Sequence, residues 1–75
     1  GLSEFFNEFT YTSGNLSKIE IYTNNTKTTK LYTKNLTYSS GSLTQLQITD
    51  ETNSTTETKN FSYDANGNLI NITKT

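Results

Sequence analysis

The sequence predicts an all-β protein: an antiparallel meander of about six strands, built from three β-hairpin repeats and packed by oligomerisation. Three observations carry this expectation. First, apolar residues alternate with Thr or Ser at Phe9/Tyr11, Leu36/Tyr38 and Phe61/Tyr63, the period-2 pattern of a half-buried strand. Second, each pair is followed by a Gly-containing turn and a returning Leu-x-x-(Ile/Leu), with the copies spaced 27 and 25 residues apart. Self-similarity at a fixed period marks an array of like units. Third, a helical alternative fails. Thr, Tyr, Ile and Asn are poor helix formers, and no apolar stripe at helical spacing is sustained outside Leu2–Phe9.

The elements follow in order. Residues 1–8 form an N-terminal arm, for which a short helical turn, an extra strand and an anchoring segment all remain open. The repeat domain spans 9–75, with repeats near 9–35, 36–60 and 61–75. Strands are expected near 8–12, 16–23, 27–39, 43–50, 55–64 and 69–74. Ser-Gly-Asn (13–15), Ser-Ser-Gly-Ser (39–42) and Asp-Ala-Asn-Gly-Asn (64–68) form the hairpin turns. Gly14, Gly41 and Gly67 supply the positive φ that tight hairpins require. The third turn is one residue longer, which the loop absorbs without shifting the strands.

Leu16, Leu43 and Leu69 sit three residues before Ile19, Leu46 and Ile72. That spacing breaks strict alternation and predicts a bulge or a turn-packed Leu beside each Gly. Residues 27–39 contain no Gly or Pro and read as one continuous strand with Lys30, Tyr32, Lys34, Leu36 and Tyr38 on one face. Phe9, Tyr11, Ile19, Ile21, Leu36, Tyr38, Leu46, Ile48, Phe61, Tyr63, Ile70 and Ile72 are the expected packing and interface residues. Tyr22 and Tyr32 fall outside the repeated Tyr positions and are the expected surface contacts. Lys30, Lys34 and Lys59 read as charges that discourage uncontrolled edge pairing.

Composition bears on function mainly by exclusion. The 75 residues contain no His, Cys, Met, Trp, Pro or Arg. A disulfide framework, a Cys/His zinc site, a Ser-His-Asp or Cys-His nucleophile and a guanidinium clamp are therefore ruled out. No cofactor, metal or catalytic residue is expected. Six Lys against seven acids give a net charge of −1, and the Lys residues are scattered. Nucleic acid is thus not an expected partner, since phosphate binding needs a basic stripe. No apolar run approaches the ~20 residues that cross a bilayer, and residues 1–8 lack the pattern of a signal peptide. The missing Met implies trimming, or a piece of a longer chain.

Four motifs have a structural explanation. Asp64-x-Asn66-x-Asn68 mimics a calcium loop, but Gly67 falls at position 4 where such a loop needs Gly at position 6; a turn is expected. Glu20, Asp50, Glu51 and Glu57 have no cleft in which to act as a glycosidase pair. Asn15, Asn24, Asn35, Asn53, Asn60 and Asn71 form Asn-x-Ser/Thr sequons in a chain rich in all three residues. The aromatic residues recur with the repeat, as cross-strand packing requires.

Tyr63-Asp64-Ala65-Asn66-Gly67-Asn68-Leu69 resembles the YD (Rhs-type) repeat, whose core is Tyr-Asp, a short spacer and Gly-Asn-Leu. FTYTSGNL (9–16) and LTYSSGSL (36–43) look like degenerate copies without the Asp. Such repeats imply hairpin architecture. Short chains with Tyr-x-x-Gly-x-Leu hairpins also resemble small structural proteins of tailed bacteriophages, found in tail fibres, neck appendages and capsid decorations.

A sheet with one apolar face must be covered, and Leu, Ile and Phe supply only 16 residues with no Val. At this size burial and ordering nearly cancel. The expectation is a non-enzymatic structural protein of a virion. It would assemble as a homo-oligomer, a trimer being one stoichiometry, and dock on a larger structural protein. The alternative is a module of a bacterial surface or secreted YD-repeat protein with an adhesive or glycan-binding role.

Overall fold

A computed structural model of the chain describes residues 5–75. Six strands, β1 (Phe6–Thr12), β2 (Asn15–Tyr22), β3 (Lys30–Ser39), β4 (Ser42–Asp50), β5 (Thr55–Tyr63) and β6 (Leu69–Lys74), follow one another. They form one antiparallel sheet in the order β1-β2-β3-β4-β5-β6. The described residues contain no helix, and the all-β antiparallel meander of six strands is the one predicted.

Tight turns set the meander. At the β1–β2 corner Ser13 and Gly14 have φ of 51° and 83°, and at the β3–β4 corner Ser40 and Gly41 have 50° and 82°. Two consecutive positive φ values make the type I′ turn whose twist matches paired strands. The longer β5–β6 turn is organised by Asp64. Its Oδ1 accepts the N–H groups of Asn66 and Asn68, both at 2.9 Å. The extra residue is absorbed there, since Tyr63 still stands opposite Leu69 as Tyr11 does opposite Leu16 and Tyr38 opposite Leu43.

The expected break in alternation is a bulge in all three hairpins. Register shifts fall between Thr10 and Tyr11, Thr37 and Tyr38, and Ser62 and Tyr63. On the returning strands the extra residues are Ser17, Thr44 and Ile70. Two of them bond across the strand pair: Ser17 Oγ donates to the Thr10 carbonyl and Thr44 Oγ1 to the Thr37 carbonyl, both at 3.2 Å. The bulge keeps Leu16 and Ile19, Leu43 and Leu46, and Leu69 and Ile72 on one face.

Several expectations are corrected by this register. The third strand begins at Lys30, not 27. Lys27 has a φ of 56°, and the connector is a compact loop in which Asn24 Oδ1 accepts the Thr28 N–H at 3.1 Å while Asn24 Nδ2 donates to Thr28 Oγ1 at 2.6 Å. A further shift pairs Ile21 with Tyr32 but Tyr22 with Lys30. Lys30 therefore leaves the face of Tyr32, Lys34, Leu36 and Tyr38. Ile70 leaves the face of Ile72, because it is the bulged residue. Phe6, Asn7 and Glu8 of the expected N-terminal arm belong to β1; residues 1–4 lie outside the described residues.

Side chains alternate across a strand, so register sorts the molecule into two faces. One carries nearly every large apolar residue. Phe9 stands opposite Ile19, Ile21 opposite Tyr32, Leu36 opposite Leu46, Tyr38 opposite Leu43, Phe61 opposite Ile72 and Tyr63 opposite Leu69. The other is a carpet of Thr, Asn, Gln and Ser, with Thr33 opposite Thr49 and Asn35 opposite Gln47. Among the described residues no second layer covers either face. Among the described residues Tyr22 is the only buried apolar side chain, and none is fully enclosed.

Candidate interaction surface

Tyr22 is the first correction at this level. Expected as a surface contact, it is the most enclosed side chain of the sheet, at 7% exposure, and it lies on the polar face. Its register partners are Phe6 on β1 and Lys30 on β3, and the Lys30 ammonium stands 5.8 Å from its ring centroid. Its hydroxyl donates to Glu20 Oε2 at 3.4 Å, and Lys30 Nζ donates to the same oxygen at 2.6 Å. The Lys30 hydrogen bond holds the Glu20 carboxyl below its usual range, and the same bond raises Lys30. Burial raises the Tyr22 phenol. The motif was not legible from spacing, because it depends on the bulge that turns Lys30 across the sheet.

The apolar face is the candidate site. Its exposure follows position in the sheet. On the central strands Ile19, Ile21, Leu36, Tyr38, Leu46 and Ile48 are half-buried by neighbouring strands, and so are Phe61 and Tyr63 on β5. On the edges Phe9, Tyr11, Leu69 and Ile72 are 50–63% exposed. Tyr63 also ties two repeats together, its hydroxyl donating to the Leu43 carbonyl at 2.6 Å. Ile70, at 64% exposure, is the one member of the expected packing set that the register places on the polar face. Gly14, Gly41 and Gly67 lie in the three hairpin turns, all with φ between 82° and 84°.

Two shallow troughs on this face meet at Tyr32 and Ile48. One, of about 350 Å³, is walled by Phe5, Ile21 and Lys34. The other, of about 400 Å³, is walled by Asp50, Thr55, Thr56, Glu57, Lys74 and Thr75. Tyr32, 39% exposed, lines both. It remains a surface aromatic, as expected, in a setting apolar on one side and polar on the other.

The carboxylates have structural partners. Asp50 closes the β4–β5 turn, accepting from Asn53 Nδ2 at 2.9 Å and from the Thr52 N–H at 3.0 Å; the Asn53 side chain contributes most to holding its carboxyl below the usual range. Glu51 accepts from Thr33 Oγ1 at 2.6 Å, and Glu57 pairs with Lys74 at 3.2 Å. A general acid needs a raised carboxyl; Glu20 and Asp50 are moved the other way. Among the described residues no three acidic side chains converge on a point.

Lys34 and Lys59, expected to guard edges, sit inside the sheet: Lys34 stands between Ile19 and Ile48, and Lys59 between Leu46 and Lys74. The edges are β1 and β6. Comparison of the chain with protein-family models, curated proteins and solved structures returns no match.

Proposed function

We propose that the protein is a non-enzymatic structural module that assembles with itself by covering the apolar face of its sheet. The observation that carries this reading is that a face built mainly of Leu, Ile, Phe and Tyr, crossed by Lys34, Glu57, Lys59 and Lys74, has no layer over it among the described residues. Monomers rarely expose contiguous apolar patches beyond a few hundred Å². The 46 × 27 Å outline gives a face on the order of 1,000 Å², comparable with the ~800 Å² per partner of a stable interface. The setting that fits best is a virion of a tailed bacteriophage, where the module serves in a fibre, appendage or decoration docked on a larger protein. That setting rests on the resemblance of the hairpins. Sedimentation at micromolar concentration tests the assembly: species larger than the monomer are expected, and Leu46→Lys should reduce their size. A folded wild-type monomer would overturn the reading.

A second reading has its own observation. Tyr32, flanked by Asp50, Glu57 and Lys74, offers an aromatic ring beside hydrogen-bonding groups, a surface suited to a sugar. It would make the chain an adhesive module of a bacterial surface or secreted protein. Glycan binding lost in Tyr32→Ala, with the oligomer intact, supports it; no glycan retained by the wild type sinks it.

A further inference from the structure

We propose that β6 of one copy pairs with β1 of a second copy, antiparallel and head to tail, so that the sheet continues across the junction. This goes beyond the covering of the apolar face and does not depend on what covers it.

The chain already contains this junction twice. Where the first repeat meets the second, Ile19 stands opposite Lys34 and Lys18 opposite Asn35. Where the second meets the third, Leu46 stands opposite Lys59 and Gln45 opposite Asn60. In both, the apolar residue three after the turn leucine (Leu16 or Leu43) faces the residue two before the next repeat begins. In the third repeat that apolar residue is Ile72, and the first repeat begins at Phe9. The same rule sets Ile72 opposite Asn7 of the next copy, Asn71 opposite its Glu8 and Lys74 opposite its Phe5. Face is preserved, since Asn7 shares the face of Ile21 and Ile72 that of Phe61.

Backbone polarity supports the junction. Thr58 and Thr75 exchange both hydrogen bonds, N to O at 3.2 and 2.8 Å. Alternation along an antiparallel pair then turns the N–H groups of Ile72 and Lys74 outward. Neither edge is blunted in the usual ways, by Pro or by a row of Lys: β1 (FNEFTYT) has Glu8 as its one charge and β6 (LINITK) has Lys74. The chain's other strand lysines are spent on interior strands. Phe9 and Ile72, exposed at 52% and 54%, would gain the neighbour that keeps Ile19 and Leu46 half-buried.

A head-to-tail contact does not close on itself unless its rotation allows. Six strands at ~4.8 Å advance the sheet by roughly 29 Å per copy, and twist of ~20–25° per strand turns each copy by roughly 120–150°. The product is an open twisted ribbon.

The chain has no cysteine, so single-cysteine variants report cleanly. Asn71→Cys mixed with Glu8→Cys in a thiol–disulfide buffer should give a mixed disulfide at least ~10-fold above Asn71→Cys mixed with Thr10→Cys, two residues out of register; a paired position without backbone hydrogen bonds brings Cα atoms to ~4.5 Å, within disulfide range. Lys74→Pro, which removes an outward N–H, should abolish that excess while the circular dichroism stays that of a sheet. Equal yields in and out of register, or dominant self-linking of Asn71→Cys through a symmetric β6–β6 contact, would overturn the proposal. Those outcomes beside a discrete oligomer insensitive to Lys74→Pro would leave the face-covering reading standing. A register-specific disulfide that survives Leu46→Lys would uphold the edge contact by itself.

Discussion

Asp64 shows what one side chain contributes to a turn. A single carboxylate oxygen receives two backbone N–H groups, and the Asn68 N–H contributes most to holding the carboxyl below its usual range. A carboxyl whose folded value is lowered adds stability that is complete above its unfolded value of about 4. That stability is lost as pH falls through the lowered folded value. Asp50 and Glu20 act in the same direction. The urea midpoint should therefore hold steady from pH 7 to about 5 and fall below about 4, and Asp64→Asn should flatten that decline. A midpoint unchanged down to pH 2, or a decline equally steep in Asp64→Asn, would refute the assignment. The turn itself was legible in Asp-x-Asn-Gly-Asn, because those residue types have few other uses at that spacing.

At the scale of the hairpin, the bulge decides which residues face which way. Ser17 and Thr44 use a hydroxyl to bond the carbonyl opposite, and Ile70 holds the same place without one. Ile70→Thr should therefore change stability by less than about 0.5 kcal/mol, the usual range for an exposed site. Ile72→Thr should cost about 1 kcal/mol, since it removes apolar carbons on the face that stands opposite Phe61. Chemical denaturation of the two variants checks this; the reverse order would mean that the third repeat is out of register with the others. Strand order, bulge and turns were all readable from Leu-x-x-(Ile/Leu) beside a Gly. The sidedness of Ile70 was not, because two Ile at i and i+2 look like plain alternation unless aligned from Leu69. Lys30 and Tyr22 escaped for a related reason. Their pairing turns on a bulge in a run without Gly or Pro, where nothing in residue type announces a shift.

For the whole molecule, one layer of sheet leaves stability tied to concentration. A partner that binds only the folded chain stabilises it by mass action, so thermal unfolding should shift upward as protein concentration rises tenfold. A midpoint independent of concentration would favour a self-sufficient monomer. The uncovered face was legible from the scarcity of aliphatics in 75 residues; what covers it depends on surfaces that no residue spacing specifies.

Each strand touches only its neighbours along the chain. Such a topology closes like a zipper, with no pairing that must wait for a distant segment. A hairpin gained or lost by duplication would lengthen or shorten the molecule without disturbing the rest, so its size is a quantity that genetic change can adjust in steps.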